Sequence, residues 1–336
     1  MQKENGTMIR RMFVALAATL IAGGATAADK VVFATNWLAQ GGHGGFYQAL
    51  ADGTYEEHGL DVEIQMGGPQ MNNRPLLAAG KIDFLMTGNL LLSIDNVRNE
   101  IPTIVVASYF EKDPQVLIAH KGQYDGWDDL VNAPKILISK DGQFSFWQWM
   151  TAAHGFRDES LRPYGYNLAE FLNDEKMVQQ GYATAEPLYA AAAGAQVETF
   201  VLADYGWSTY STTVETRVEL VESNADLVQR FIDASTIGWY NYLYGDNSAG
   251  NPAIMEANPD QTPEKLAAEV AQMKALGIID SGYQLEAGIG AIDLQRVRAF
   301  HDLAVETGII EAGSVDVEMV ATDRFVNKMV GMDLKP

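Results

Sequence analysis

The feature that most limits what this chain can fold into is an alternation of short β-forming runs with helical stretches, joined by connections of only a few residues. Residues 31–34, 60–64, 82–86 and 103–109 read as strands, and helices are expected over 46–55, 73–79 and 90–98. Leu60-Asp61-Val62-Glu63-Ile64 alternates with the period of two that a half-buried strand requires. Such a βα order is satisfied by a mostly parallel sheet with helices on both faces. The pattern then repeats after a break. Strands are expected at 116–119, 135–139, 164–167, 181–185 and 197–203, with helices near 127–131, 144–154, 168–179 and 188–193 between them. The remainder reads as helical: Asn224 caps a helix running to Tyr244, and helices follow at 262–276 and 294–307. No low-complexity linker separates the two units. The expectation is therefore an α/β protein of two lobes with a cleft between them. One lobe combines 28–109 with the helical 204–336, the other spans 110–203, and the strands 103–109 and 197–203 are the expected crossings.

The N-terminal 27 residues belong to neither lobe. Lys3, Arg10 and Arg11 precede an apolar run from Met12 to Ala22, and Ala25-Thr26-Ala27 supplies small residues for cleavage. This is the pattern of an export signal, its apolar run too short to span a bilayer. The expected product is exported, monomeric and free of membrane insertion, in the periplasm of a two-membrane bacterium. Cysteine is absent, which removes thiol nucleophiles, disulfides and Cys-based metal sites together. None of the five histidines forms a His-x-x-x-His pair. A formal net charge of −21 argues against nucleic acid and anionic membranes as partners.

In open α/β sheets, ligands lie beyond the carboxyl ends of the strands. The residues there are rich in aromatics and amides and poor in cations: Trp37, His43, Tyr47, Asn89, Tyr109, Phe144, Glu186 and Asp204 are the candidates. Trp37 either covers the sheet edge or stacks on a ligand, and stacking is favoured because the adjoining glycine-rich loop leaves its face uncovered. His43 is either a solvated loop residue or a site residue. Glu186 precedes Pro187 at a helix start, where a carboxylate either caps the helix or accepts from a ligand; the ligand role is favoured. Asp204 is expected to pair across a hinge more than to touch a ligand. Among Phe144, Phe146, Trp147 and Trp149, two are expected in the core and one, taken as Phe144, in the cleft. Trp239, Tyr240, Tyr242 and Tyr244 read as packing. There is no Gly-x-Ser-x-Gly, Gly-x-x-x-x-Gly-Lys or His-Glu-x-x-His motif, and no catalytic, metal or cofactor site is expected. Gly41–Gly45 fails the Gly-x-Gly-x-x-Gly spacing at Tyr47.

Several stretches carry a family resemblance. They are Asn36-Trp37, His43 and Tyr47; Gly53-x-Tyr55-x-x-x-Gly59-Leu60-Asp61-Val62; Leu77-Ala78-Ala79-Gly80-Lys81-Ile82-Asp83-Phe84; Asp113-Pro114-Gln115; Gly181-Tyr182 with Glu186-Pro187; and Gly238-Trp239. Together they resemble the bacterial periplasmic binding proteins related to the thiamine-pyrimidine synthases of fungi. The resemblance implies a type II two-lobed receptor that delivers a small molecule to an ABC permease in the inner membrane. Relatives serve thiamine pyrimidine precursors, riboflavin, taurine, alkanesulfonates and nitrate. By resemblance Trp37 stacks on the ring and Glu186 binds its amino group, with Tyr47, Asn89 and Tyr109 as looser carry-overs. The fungal enzymes use a cysteine-rich segment with iron, which this chain lacks. A sulfonate or nitrate wants Arg, Lys or free N–H groups, whereas Glu186 and aromatic faces suit a flat heteroaromatic with an exocyclic amine. The helix start at 142–144 keeps a small anion open. The competing class is a secreted heterocycle hydrolase using Glu186 and His43.

Overall fold

The computed structural model describes residues 27–336, so the expected export signal lies outside the described residues except for Ala27. Two five-stranded sheets form its framework. The strands are β1 (Asp29–Ala34), β2 (Leu60–Gln65), β3 (Phe84–Asn89), β4 (Thr103–Phe110), β5 (Gln115–His120), β6 (Lys135–Ile138), β7 (Leu161–Pro163), β8 (Met177–Tyr182), β9 (Val197–Val201) and β10 (Ser211–Arg217). The first sheet has the order β2-β1-β3-β10-β4 and the second β7-β6-β8-β5-β9. In each, four strands run one way and one is reversed: β10 pairs antiparallel with β3 and β4, and β5 with β8 and β9.

The reversed strands are the ones the chain enters on changing sheet. Strand β4 ends at Phe110 and β5 begins at Gln115, so residues 111–114 make the first crossing. Residues 202–210 make the return crossing. The crossings therefore follow β4 and β9, and each of those strands lies wholly within one sheet, contrary to the expectation that the strands themselves would cross. The two crossings are tied together: Trp207 Nε1 donates to Asp113 Oδ2 at 2.8 Å, and Arg296 donates to both Glu111 Oε1 and the Thr209 carbonyl at 3.0 Å.

Sequence reasoning missed β10 and misplaced β8, reading Met177–Gln179 as the end of a helix. The helix there stops at Asn173, and Met177–Tyr182 is the central strand of the second sheet, between β6 and β5. Neighbouring strands on both sides supply the backbone partners that override its glutamines' weak β preference.

The helix Ala225–Tyr244, capped by Asn224 Oδ1 accepting from Leu227 N at 3.2 Å, covers the first sheet. Phe231 stacks on Phe84 with ring centroids 4.0 Å apart; burying such a ring contributes about 1.5–3 kcal/mol. The glycine-rich run now has a packing role. A Cβ on Gly45 would lie 2.2 Å from the Trp239 ring, and one on Gly44 1.9 Å from Tyr242. These glycines let the helix Gly44–Ala51 press against the long helix, which is why it begins inside the run and not at Phe46.

Candidate functional site

The carboxyl ends of β1 and β3 in one sheet face those of β6 and β8 in the other across a cleft of about 540 Å³, counted out to its open mouth. The first wall presents Asn36, Trp37, Gln40, His43 and Asn89; the second presents Gln115, Asp141, Phe146, Gln180, Tyr182 and Glu186. The walls are clasped at their rim. Lys140 N donates to the Pro69 carbonyl at 2.8 Å, Gln70 Nε2 to the Tyr164 carbonyl at 2.9 Å, and Asn258 Nδ2 to the Tyr166 hydroxyl at 3.1 Å. Buried Glu269 accepts from Gly41 N at 2.6 Å and from the Tyr189 hydroxyl of the opposite wall. Among the described residues no group of three or more His, Asp or Glu side chains converges as a metal site would require.

Glu186 opens the helix Glu186–Ala192 and is 6% exposed. Its Oε2 accepts from Tyr182 N at 2.7 Å and its Oε1 from the Tyr164 hydroxyl at 3.1 Å. The carboxylate thus ties down the end of β8 while lining the cleft; it does not cap its own helix, whose capping position is Ala185 without a side-chain bond. Gly181 makes room for it, because a Cβ there would lie 2.6 Å from Glu186 Cβ. Trp37 also lines the cleft, but one face of its ring is taken: Tyr164 stacks at 5.7 Å with an interplanar angle of 21°, and Tyr166 meets it edge-on.

Charge in the cleft is one-sided. No Lys or Arg is among its lining residues, while Asp141 and Glu186 are. Burial pushes the Glu186 carboxyl up, against hydrogen bonds that favour its ionised form. Burial likewise pushes Asp141 up to about 6, with Arg74 and the Asn36 amide acting the other way. His43 is 2% exposed and burial lowers its pKa to about 3, so it is neutral, and its Nδ1 has no hydrogen-bond partner.

Several N–H groups at the helix starts in the walls already have partners. Asn89 Oδ1 accepts from Leu91 N at 3.1 Å, Ser139 Oγ accepts from Gly142 N at 3.2 Å, and Ser139 N donates to Gln180 Oε1 at 2.6 Å.

Of the expected site residues, Trp37, His43, Asn89 and Glu186 meet in this cleft. The other four lie elsewhere. Tyr109 is fully buried, its hydroxyl donating to the Ile232 carbonyl at 3.3 Å and its ring meeting Phe46 edge-on. Tyr47 belongs to the same core, with no partner for its hydroxyl. Phe144 is exposed beneath the Lys140 ammonium, and Phe146 takes the cleft position instead, with Trp147 and Trp149 in the core. Asp204 is exposed on the return crossing, and the bond between crossings is made by Asp113 and Trp207. Asp141 and Gln180 were not singled out. Asp141 lies beyond an expected strand end, whereas Gln180 falls in the gap between the expected helix 168–179 and the expected strand 181–185, and lies within β8.

Two mixed sheets, chain crossings between them and a cleft at the strand ends define the periplasmic binding protein fold. Solved structures agree. A protein of Bordetella bronchiseptica RB50 aligns with a TM-score of 0.64 at 14% identity, covering 90% of this chain and 96% of its own. The Candida albicans CA3427 gene product, described as exhibiting the generic periplasmic binding protein fold, gives 0.62 at 15% identity, covering 88% and 96%. The alkanesulfonate-binding protein SsuA of Xanthomonas axonopodis pv. citri, bound to MOPS, gives 0.62 at 11% identity, covering 88% and 99%. The chain belongs to the NMT1/THI5-like family, whose model matches residues 40–246. No curated protein sequence matches it. Among the described residues no helix is long and apolar enough to cross a membrane.

Proposed function

We propose that this protein is the exported, monomeric receptor of an ABC importer, and that it captures a small heteroaromatic ligand with an exocyclic amine, of the thiamine-pyrimidine-precursor kind. The observation that carries the reading is the lining itself: an aromatic ring at Trp37 and a buried carboxylate at Glu186, with no Lys or Arg. A flat ring stacks on the first and donates an amine to the second. The family and the fold supply the receptor class, and the permease is the partner that class implies.

The small-anion alternative, suggested by the sulfonate-binding neighbour, meets two obstacles. An anion needs cations or free N–H groups, and the N–H groups of Leu91, Ser139 and Gly142 are already taken. A hydrolase would need His43 to act with Glu186, and among the described residues no hydrogen bond joins them.

Calorimetry of wild type and Glu186→Gln with a 4-aminopyrimidine, riboflavin and taurine tests the reading. The variant should bind the aminopyrimidine about tenfold or more weakly, because a charge-assisted bond of about 1.5–3 kcal/mol is lost. Unchanged or improved affinity, tighter taurine binding, or turnover of the ring would overturn it.

A further inference from the structure

Glu186 accounts for one of the two carboxylates in the cleft. Asp141 is the other, and no Lys or Arg lines the cleft beside it. The nearest guanidinium, Arg74, is committed to Asp95 at 2.7 Å and also donates to Asn96 Oδ1 and the Leu92 carbonyl. Arg74 lines a smaller side pocket beyond Asp141, not the main cleft. The Lys140 ammonium sits over the Phe144 ring at 5.1 Å. What faces Asp141 is the Asn36 amide, whose Oδ1 is itself without a partner. A second signal comes from His43, a neutral ring buried in the first wall of the same cleft with its Nδ1 unpartnered. Buried polar groups without a partner are rare in folded proteins and mark the wall as unusual. An ionised carboxylate held in low dielectric makes its strongest contact with a cation. The chain's formal net charge of −21 adds a field that gathers cations at the cleft mouth.

We propose that Asp141 selects a cationic ligand: the solute bound between Trp37 and Glu186 carries a protonated amine or amidine group, and that charge lies against the Asp141 carboxylate. The inference rests on the receptor reading above and adds to it the charge of the ligand and the residue that reads it. Glu186 accepts from the ring amine and Asp141 from the charged arm. A neutral ring of the same shape leaves Asp141 unpaired, so discrimination falls on this one side chain.

The test is calorimetry of the full mature chain at low salt and pH 7.5. Its two probes are a 4-aminopyrimidine with an aminomethyl arm and the same ring with a hydroxymethyl arm. Wild type should favour the ammonium by about tenfold or more. Asp141→Asn, which keeps shape and removes charge, should bring the two within about twofold, the expected loss of one charge-assisted contact. Glu186→Gln should weaken both probes and keep the preference. Equal wild-type affinities, or a preference that persists in Asp141→Asn, would overturn the role of Asp141 while leaving the receptor reading intact. Failure of both rings to bind would overturn the heterocycle reading and this inference together. The wild-type ratio stands whether or not the variant folds.

Discussion

Trp37 shows what a single residue can and cannot declare. Its place after β1, beside a glycine-rich run, was readable; its partner was not. Tyr164 comes from the opposite wall and covers one ring face, so a ligand would have to stack on what Tyr164 and the edge-on Tyr166 leave free, and Trp37 also helps to hold the walls together. Losing a stacking platform costs about 1–3 kcal/mol, so Trp37→Ala should weaken ligand binding by about 5- to 150-fold, with Trp37→Phe nearer wild type. Titration calorimetry with the aminopyrimidine probe checks this, and equal affinities would remove Trp37 from the site. Glu186 was legible because a carboxylate directly before a proline marks a helix start after a strand. Tyr109 and Phe144 were misjudged by small displacements. Side chains of a strand alternate faces, so a residue near the end of β4 can point into the core as readily as toward the cleft. In the region of 144–146, a shift of two residues separates exposed Phe144 from cleft-lining Phe146.

At the scale of elements, the contact between the helices Gly44–Ala51 and Ala225–Tyr244 is the one that sequence patterning could not describe. Five closely spaced residues of glycine and histidine look like a loop, and by propensity they are one. Packing reverses that preference, because only a residue without a Cβ lets the Trp239 ring approach as closely as it does at Gly45. Gly45→Ala should therefore force the helices apart and destabilise the fold by about 1–3 kcal/mol despite alanine's better helix propensity. Urea unfolding would read this out; a stabilised variant would mean that the helix pair yields easily. The unexpected strand β10 follows the same logic. Ser211-Thr212-Thr213-Val214 has β-forming residues, but the sequence after Asp204 held no alternation strong enough to mark it. Its stability comes from β3 and β4 on either side.

For the whole molecule, buried carboxyls set the response to pH. Burial pushes Asp113 and Glu269 up to about 7 and Asp141 up to about 6. Between about pH 4, where such groups titrate in an unfolded chain, and pH 7 the folded protein holds protons that the unfolded chain has released. Folding then takes up protons, so stability falls as pH rises through this window. His43, lowered to about 3 by burial, and His154, also lowered by burial, act in the opposite sense, against a larger set of raised carboxyls that also includes Glu111, Glu186, Glu215 and Asp233. Self-repulsion at a formal net charge of −21 adds to the fall. The melting temperature should therefore be higher at pH 5 than at pH 7.5, and Asp113→Asn should flatten part of that slope. Scanning fluorimetry across the range decides it, and a melting temperature that rises with pH would refute the sign.

The order of strands and helices by itself determined the α/β class, the two units and the general location of a ligand cleft, because βα alternation with short connections leaves few ways to bury apolar faces. It also placed Trp37 and Glu186 at strand ends. Which strands run backwards, which of several neighbouring aromatics reaches the cleft and which carboxylates share it were decided only in three dimensions. Those outcomes depend on contacts between segments far apart in the chain: the pairing of β10 with β3 and β4 and of β5 with β8 and β9, and the meeting of Asp141 and Glu186 in one cleft that no Lys or Arg lines. Local patterning carries no record of either, because each is a matter of distance between residues that sequence separates.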